Sequence, residues 1–262
     1  MASRAMGSRR WRGVWLGAIG VIGGLLMPWY LAVALGVKPV ILPPISKVIR
    51  SGFSLVQSDV LLPALLVSLR RVILGFLLAA LTAVPLGVVL GRSRRLWLLF
   101  EPLIESFRFI IPFAWIPLAI LWFGTHEAGK IFIIWYAGFF LILLHAIQGV
   151  RGVEPDLVKA AKTLGAREHV IFYKVVLPAA LPATMTGLRI GFAACWISLI
   201  AAELVAARSG LGYLIMDARE FLQTDVVMVG MGVIAIVGAA SNWVFELVQK
   251  RLLRHRAVFE KL

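Results

Sequence analysis

The sequence predicts an all-α, polytopic membrane protein with about six transmembrane helices. Hydrophobic residues make up 61% of the 262 residues, charged residues make up only 15%, and the mean hydropathy is +0.92. A soluble core of this size could not cover so much apolar side chain, so lipid must solvate a large part of it. Several uncharged runs also reach the roughly 20 residues that a helix needs to cross about 30 Å of hydrocarbon.

The uncharged stretches give the positions of these spans to within several residues. In chain order they cover residues 13–37, 72–91, 98–123, 130–150, 180–206 and 226–248. A cleaved signal peptide is the alternative for the first, but its 25 uncharged residues exceed the usual signal core of about 7–15. Prolines and charges interrupt residues 38–71, which predict an outer loop and an interfacial helix.

Basic residues are concentrated on one side of the predicted spans, around Arg9, Arg94, Lys162 and Arg254. By the positive-inside rule, this distribution predicts that both termini are cytoplasmic. The net charge of +14 therefore reflects membrane topology. A nucleic-acid binder would instead concentrate its basic residues on one soluble face.

Small residues predict close helix contacts in two of the spans. They recur every four positions at Gly75, Ala79, Ala83, Gly87 and Gly91, and again at Gly187, Gly191 and Cys195. Packing within one subunit is the favoured interpretation, and a subunit interface is the alternative. In the third span, Pro102, Pro112 and Pro117 predict a kinked, path-lining helix, because prolines free backbone carbonyls that protein or water must satisfy.

Charged residues within spans are few, and each costs about 2.5–3.5 kcal/mol at mid-membrane, so each requires a partner or a function. The candidates for a translocation path are Arg108, Arg189, Trp196 and Glu203. Arg108 or Arg189 would offer a cationic way-point to an anion. Arg189 and Glu203 lie near span ends, so snorkelling to the interface is the alternative for both. Trp196 could instead bond within the bundle.

The cytoplasmic segment 154–178 predicts a helical hairpin between the fourth and fifth spans. Pro155 suits the first turn of a helix, and Gly165 suits the left-handed residue that ends it. A second short helix is predicted to run to Pro178. The apolar face of the first helix holds Leu157, Ala160, Ala161 and Leu164. Spacing alone leaves two alternatives open, a hairpin lying on the bilayer and a docking site for a soluble partner.

The hairpin also carries a long spaced pattern: Lys159-Ala160-Ala161, then Gly165, Val175 and Leu177-Pro178. It resembles the signature of bacterial binding-protein-dependent ABC importer permeases, which is Glu-Ala-Ala, three residues, Gly, nine residues, Ile, one residue, Leu-Pro. Lys159 departs from the acid that the family usually carries. Similarity is greatest to the alkanesulfonate, taurine and nitrate branch and extends over roughly residues 60–256. Supporting stretches are 68–71, 116–118, 121–124, 187–189, 209–214 and 218–225.

The resemblance implies a type I ABC importer permease fold in the bacterial inner membrane. It divides the chain into an N-terminal region 1–60, a permease domain 61–256 and a tail 257–262. The implied partners are a second permease copy, two cytoplasmic ATPase subunits and an external solute-binding protein. The residues expected to couple to the ATPase are Lys159, Ala160, Ala161, Leu164, Gly165, Leu177 and Pro178.

The implied function is ATP-driven import of a small oxyanion, with an aliphatic sulfonate or taurine favoured over nitrate or bicarbonate. The sequence lacks the G-x-x-x-x-G-K-[ST] motif, so ATP is expected on a partner subunit, and no cofactor or metal is expected here. An ATP-independent secondary carrier or channel for small anions is the alternative. An enzyme is disfavoured, because the sequence shows no paired catalytic carboxylates, metal-spaced clusters or nucleophile elbow.

Overall fold

The fold is that of a computed structural model, which describes Gly24 and residues 27–253. Within these residues the regular structure is helical and contains no strand. A helical segment at 27–34 comes first. The helices that follow are α1 (Ile45–Gln57), α2 (Leu61–Arg92), α3 (Arg94–Arg108), α4 (Ile116–Phe123), α5 (Glu127–Arg151), α6 (Pro155–Thr163), α7 (Glu168–Ile171), α8 (Leu177–Ala206), α9 (Leu211–Glu220) and α10 (Thr224–Leu253).

Four helices in the described part of the chain are long and apolar enough to cross a membrane. They are Leu61–Arg92, Glu127–Arg151, Glu168–Val205 and Thr224–Arg251, and they confirm the second, fourth, fifth and sixth predicted spans. A fifth crossing is formed if the bent pair of α3 and α4 counts as one span. The first predicted span, 13–37, lies mostly outside the described residues.

Helix α5 occupies the centre of the bundle, between α2 and α8. A Cβ atom at Gly87 of α2 would lie 2.5 Å from Cβ of Ala146 on α5, and one at Gly91 would lie 2.7 Å from Cβ of Val150. On the other side, Gly191 of α8 allows the same close approach to Ile142. Small residues therefore let α5 pack at short range on both neighbours, which confirms packing within one subunit as the role of both small-residue faces.

The third predicted span is broken rather than straight. Helix α3 ends at Arg108, a 3-10 turn covers Pro112–Trp115, and α4 continues at an angle of 83° to α3. The break follows from the chain, because the proline ring at Pro112 requires an extended residue before it, and Ile111 has φ −61° and ψ 134°. The proline-rich segment therefore produces the predicted kink, and it produces it as a sharp turn.

The boundary between the outer loop and the second span differs from the prediction. Residues 61–71 belong to α2, so Arg71 lies inside a membrane-spanning helix and not in the loop. The preceding helix α1 confirms the expected helix in this region. It is joined to the start of α10, because Lys47 Nζ lies 3.2 Å from Asp225 Oδ1 and Ser51 Oγ donates to Asp225 Oδ2 at 2.5 Å.

Candidate functional site

The hairpin between α5 and α8 has the predicted turn. Helix α6 begins at Pro155 and is capped at Leu164, and Gly165 follows with φ +76°, the left-handed conformation that favours glycine. The Gly165 amide donates to the carbonyl of Lys162 at 2.9 Å, as expected for this type of helix end. An ion pair of 2.7 Å between Lys162 and Glu168 then joins α6 to α7 across the turn.

The second half of the hairpin differs from the prediction, because it does not end at Pro178. Helix α7 passes through a π-helical turn at Phe172–Val176 directly into α8. Leu177 and Pro178 follow the π-helical turn within this continuous helix, and the Leu177 amide donates to the carbonyl of Phe172. The hairpin therefore joins a membrane-spanning helix without a break in the helical backbone, so a movement of the hairpin would act directly on α8.

The apolar face of the hairpin is largely exposed in the described part of the chain. The Leu164 side chain is 87% exposed, and Leu157 and Ala160 are also exposed, while Ala161 is half-buried. Lys159 is exposed and pairs at 3.0 Å with Asp156, one turn earlier on the same helix. Most of the residues predicted to couple to an ATPase are therefore open, within the described part of the chain, to a membrane surface or to another protein.

A cavity of about 400 Å³ lies at the break between α3 and α4. Arg108 lines it together with Tyr136 of α5 and Ser198 of α8. The Arg108 guanidinium pairs with Glu105 at 2.8 Å, and the Tyr136 hydroxyl donates to the carbonyl of Phe107 at 2.5 Å. Tyr136 thus fixes the end of α3, and the break provides room beside a cationic side chain at the level where the helix turns.

The structure does not bring the other three predicted path residues to this cavity. Arg189 is half-buried on α8 and donates through Nε to Asn242 Oδ1 at 2.8 Å. Trp196 is buried in a cluster with Val72 and Leu199, and its Nε1 atom has no hydrogen-bond partner among the described residues. Glu203 is buried and does not snorkel to an interface.

Glu203 belongs to a buried polar cluster that the sequence did not predict. Its Oε1 atom accepts from Arg71 Nη1 at 2.7 Å, and Oε2 accepts from the Gly212 amide at 2.9 Å. Ser68 Oγ lies 2.8 Å from both carboxylate oxygens. Arg71 and Glu203 are 2% and 1% exposed, so this is an ion pair inside the helix bundle. We call these four residues the outer cluster, since it lies at the predicted outer ends of α2 and α8.

Every N–H group of Arg71 has an acceptor. Glu127 receives Nε and Nη2 at 2.7 and 2.6 Å, and Ser209 receives Nη1 at its carbonyl and Nη2 at its hydroxyl. Lys130 adds a further ion pair to Glu127 at 2.9 Å. A charge can be buried when its partner and hydrogen bonds are supplied in this way. The outer cluster therefore joins α2, α5, α8 and the turn before α9.

Two glycines make room for the outer cluster. Gly210 has φ +112°, and a side chain there would collide with the Glu203 carboxylate. A Cβ atom at Gly212 would lie 2.6 Å from Cβ of Glu203. The stretches 68–71 and 209–214, noted in the sequence for their family resemblance, thus meet at one carboxylate. The family resemblance of these two stretches was therefore the feature of the sequence that could have predicted this cluster.

Comparison with known proteins finds matches that cover most of the chain. Residues 83–257 match the family model described as binding-protein-dependent transport system inner membrane component. The taurine transport system permease protein TauC of Escherichia coli is 36% identical over 241 residues, which cover 90% of this chain and 88% of that protein. The putative aliphatic sulfonates transport permease protein SsuC of Bacillus subtilis is 36% identical over 248 residues, covering 92% and 90%.

A solved structure gives the same result for the fold. An inward-facing conformation of the MetNI methionine ABC transporter superposes with a TM-score of 0.64 at 19% identity. The superposition covers 75% of this chain and 97% of that chain. The bundle described above is therefore the permease fold of an ABC importer, which confirms the predicted fold class, and the chain is a multi-pass transport component.

Proposed function

Because the chain belongs to the family of binding-protein-dependent transport system inner membrane components, we propose that it is the permease subunit of an ATP-driven importer of a small oxyanion. An aliphatic sulfonate or taurine is the favoured substrate, since relatives named for taurine and for aliphatic sulfonates align over about nine-tenths of the chain. Nitrate and bicarbonate are the alternatives within the same chemistry.

The observation that carries this proposal is the exposed hairpin that runs directly into α8. Its apolar face would bind a cytoplasmic ATPase subunit, and the continuous helix from α7 to α8 would convert ATPase closure into movement of a membrane-spanning helix. Burying Leu164 in that interface would stabilise binding by about 1.5–3 kcal/mol, the usual value for a leucine side chain. We propose a complex of two permease copies, two ATPase subunits and an external solute-binding protein.

The cavity beside Arg108 supports an anionic substrate. A guanidinium presents several donors in a plane that matches the oxygens of a sulfonate or another oxyanion. Arg108 remains 38% exposed although it pairs with Glu105, so part of its surface stays available. We propose that the anion binds transiently to Arg108 as it crosses the membrane. The interaction of Arg189 with Asn242 ties it instead to the contact between α8 and α10.

Uptake by the assembled complex in proteoliposomes tests the proposed function. Labelled taurine should enter only when ATP is supplied to the ATPase side and the solute-binding protein is present outside. Arg108→Gln should slow this uptake, and Arg189→Gln is the matched control that should transport normally. Taurine uptake by the permease alone, without ATP, would overturn the proposal in favour of a secondary carrier or channel.

The orientation is a separate part of the proposal. We propose that both termini are cytoplasmic, as the distribution of basic residues predicts, which would also put the hairpin on the same side as ATP. A reporter enzyme that is active only outside the cell should be silent when it is fused after Leu262, and active when it is inserted after Gln223 in the turn between α9 and α10. Activity after Leu262 would contradict this orientation.

A further inference from the structure

Three cavities adjoin one another along the groove between α3 and α5. The first is the cavity of about 400 Å³ that Arg108 lines. Arg108 also lines a second cavity of about 350 Å³, together with Trp97 and Arg151. Trp97 and Arg151 in turn line a third cavity of about 480 Å³, which reaches Arg92 and Arg94. Shared lining residues therefore connect the break in α3 with the predicted cytoplasmic ends of α2 and α5.

The charged residues that line this groove are mostly basic. Its charged residues are the four arginines and two acids, Glu101 and Glu105. Arg94 and Arg108 are the first and last residues of α3, so the groove extends along about 20 Å of helix at 1.5 Å per residue. The four arginines outnumber the two acids, and a cleft with an excess of one sign of charge and apolar walls concentrates ions of the opposite sign.

Neighbouring groups engage these arginines only in part. Arg108 shares its charge with Glu105 at 2.8 Å, and Arg151 stacks over the Trp97 ring with its guanidinium carbon 4.9 Å from the centroid. Arg92 stacks in the same way on Phe172 of the hairpin, also at 4.9 Å. An ion passes along a series of sites only if each site binds weakly enough to release it. Partial engagement by an acid or a ring provides that weakness.

We propose that this groove is the cytoplasmic exit route for the transported oxyanion, with Arg108, Arg151, Arg92 and Arg94 as successive binding positions. The inference rests on the proposed function and adds its route and its basic residues. Because Arg92 touches both the groove and the hairpin, the exit end of the route adjoins the segment that we assign to the ATPase.

Cysteine labelling tests the route without any need for transport. In the full-length permease without its ATPase subunits, and with Cys195 replaced by Ala, a single cysteine is placed at Gln148 of the second cavity, and in a control at Thr163 of α6, which is exposed in the absence of the ATPase. Inside-out vesicles are treated with an anionic methanethiosulfonate carrying a sulfonate, or with a cationic one carrying trimethylammonium. The preference for the anionic reagent at position 148 should exceed that at position 163 by about tenfold, the low end of electrostatic focusing.

Changes at Arg151 show whether that preference comes from the groove. Arg151→Gln should lower the anionic preference at position 148 and leave position 163 unchanged, whereas Arg151→Lys, which keeps the charge, should retain it. Equal reaction with both reagents at position 148, or no effect of Arg151→Gln, would overturn the route. So would protection of position 148 from both reagents while position 163 reacts, since lipid or the second permease copy would then fill the groove.

The two proposals fail in different ways. Labelling requires neither ATP nor substrate, so loss of ATP-driven taurine uptake with an intact anionic preference would count against the proposed function alone. Normal uptake without the preference would count against the route alone.

Discussion

The charged side chains at the two ends of the helix bundle differ in burial and in how they are paired. At the outer cluster, Arg71 and Glu203 are almost fully buried, and each finds its partners inside the chain. At the opposite end, which we propose to be cytoplasmic, Lys159 and Arg151 are exposed, and Lys159 pairs with an exposed acid one turn away. The outer charges are therefore satisfied within one subunit, while the cytoplasmic charges remain available to partners and ions.

This difference indicates that the two ends of the bundle have different roles, one in stability and the other in coupling and binding. The outer cluster holds α2, α5 and α8 together through contacts that leave little freedom, because a buried charge that loses its partner becomes strongly unfavourable. The hairpin and the arginine-lined groove lack such internal contacts over much of their surface. We expect substitutions at the outer cluster to affect stability, and substitutions at the cytoplasmic end to affect coupling and binding.

The largest effect is expected from Glu203→Ala. It leaves Arg71 without its buried acid and removes the acceptor for Ser68 and the Gly212 amide, so the permease should lose about 3–5 kcal/mol of stability. Thermal unfolding of the detergent-purified protein measures this loss. Glu127→Ala removes the other acid that binds Arg71, but Glu127 is 55% exposed, so its effect should be clearly smaller. Equal destabilisation by the two variants would contradict the structural role of the buried pair.

An intermediate effect is expected at Gly165, where strain arises without any clash. No atom lies within 4 Å of a Cβ built there, yet φ is +76°. Gly165→Val should therefore misorient α6 relative to α7 while the permease still inserts and dimerises. Copurification with the ATPase and transport should fall, and ATP hydrolysis should no longer depend on substrate. Gly165→Asn is the matched control, because asparagine tolerates the left-handed conformation. Normal copurification of Gly165→Val would place the hairpin on the membrane surface instead.

The smallest effect is expected from Lys159→Glu, which reverses one exposed charge at the proposed ATPase interface. A partner matched to lysine should bind less tightly, and the loss should be greatest at low salt, where screening is weakest. Affinity measured over a series of salt concentrations checks this. Lys174→Glu makes the same change at an exposed position of the π-helical turn and separates a local contact from a general charge effect. Tighter binding of Lys159→Glu would mean that the partner surface is basic.

Local features of the fold could be predicted from the sequence. The left-handed Gly165 and the close-packing face of α2 depend on single residue types at short spacing, so composition and periodicity predicted both, whereas the identity of α5 as the partner helix did not follow from them. The prolines predicted a kink in the third span, but its angle of 83° depends on how α4 packs against α5 and α8, which no local pattern encodes.

The outer cluster could not be predicted in this way. Arg71 was assigned to a loop because an apolar window ends at the first pair of arginines, and nothing nearby in the chain neutralises it. Its partner Glu203 is 132 residues away. Burial of a charge is decided by such long-range pairing, so a hydropathy profile places Arg71 outside the membrane although the fold buries it between helices.

Hydrogen–deuterium exchange of the permease with and without its ATPase subunits tests the central claim most directly. Amides of the hairpin, residues 155–176, should exchange fast in the permease alone and slowly in the complex, because docking covers an exposed pair of short helices. Amides around Arg71 and Glu203 should be protected equally in both samples. A hairpin whose exchange is unchanged by the ATPase, or new protection confined to the outer cluster, would contradict the claim that this permease is driven through its cytoplasmic hairpin.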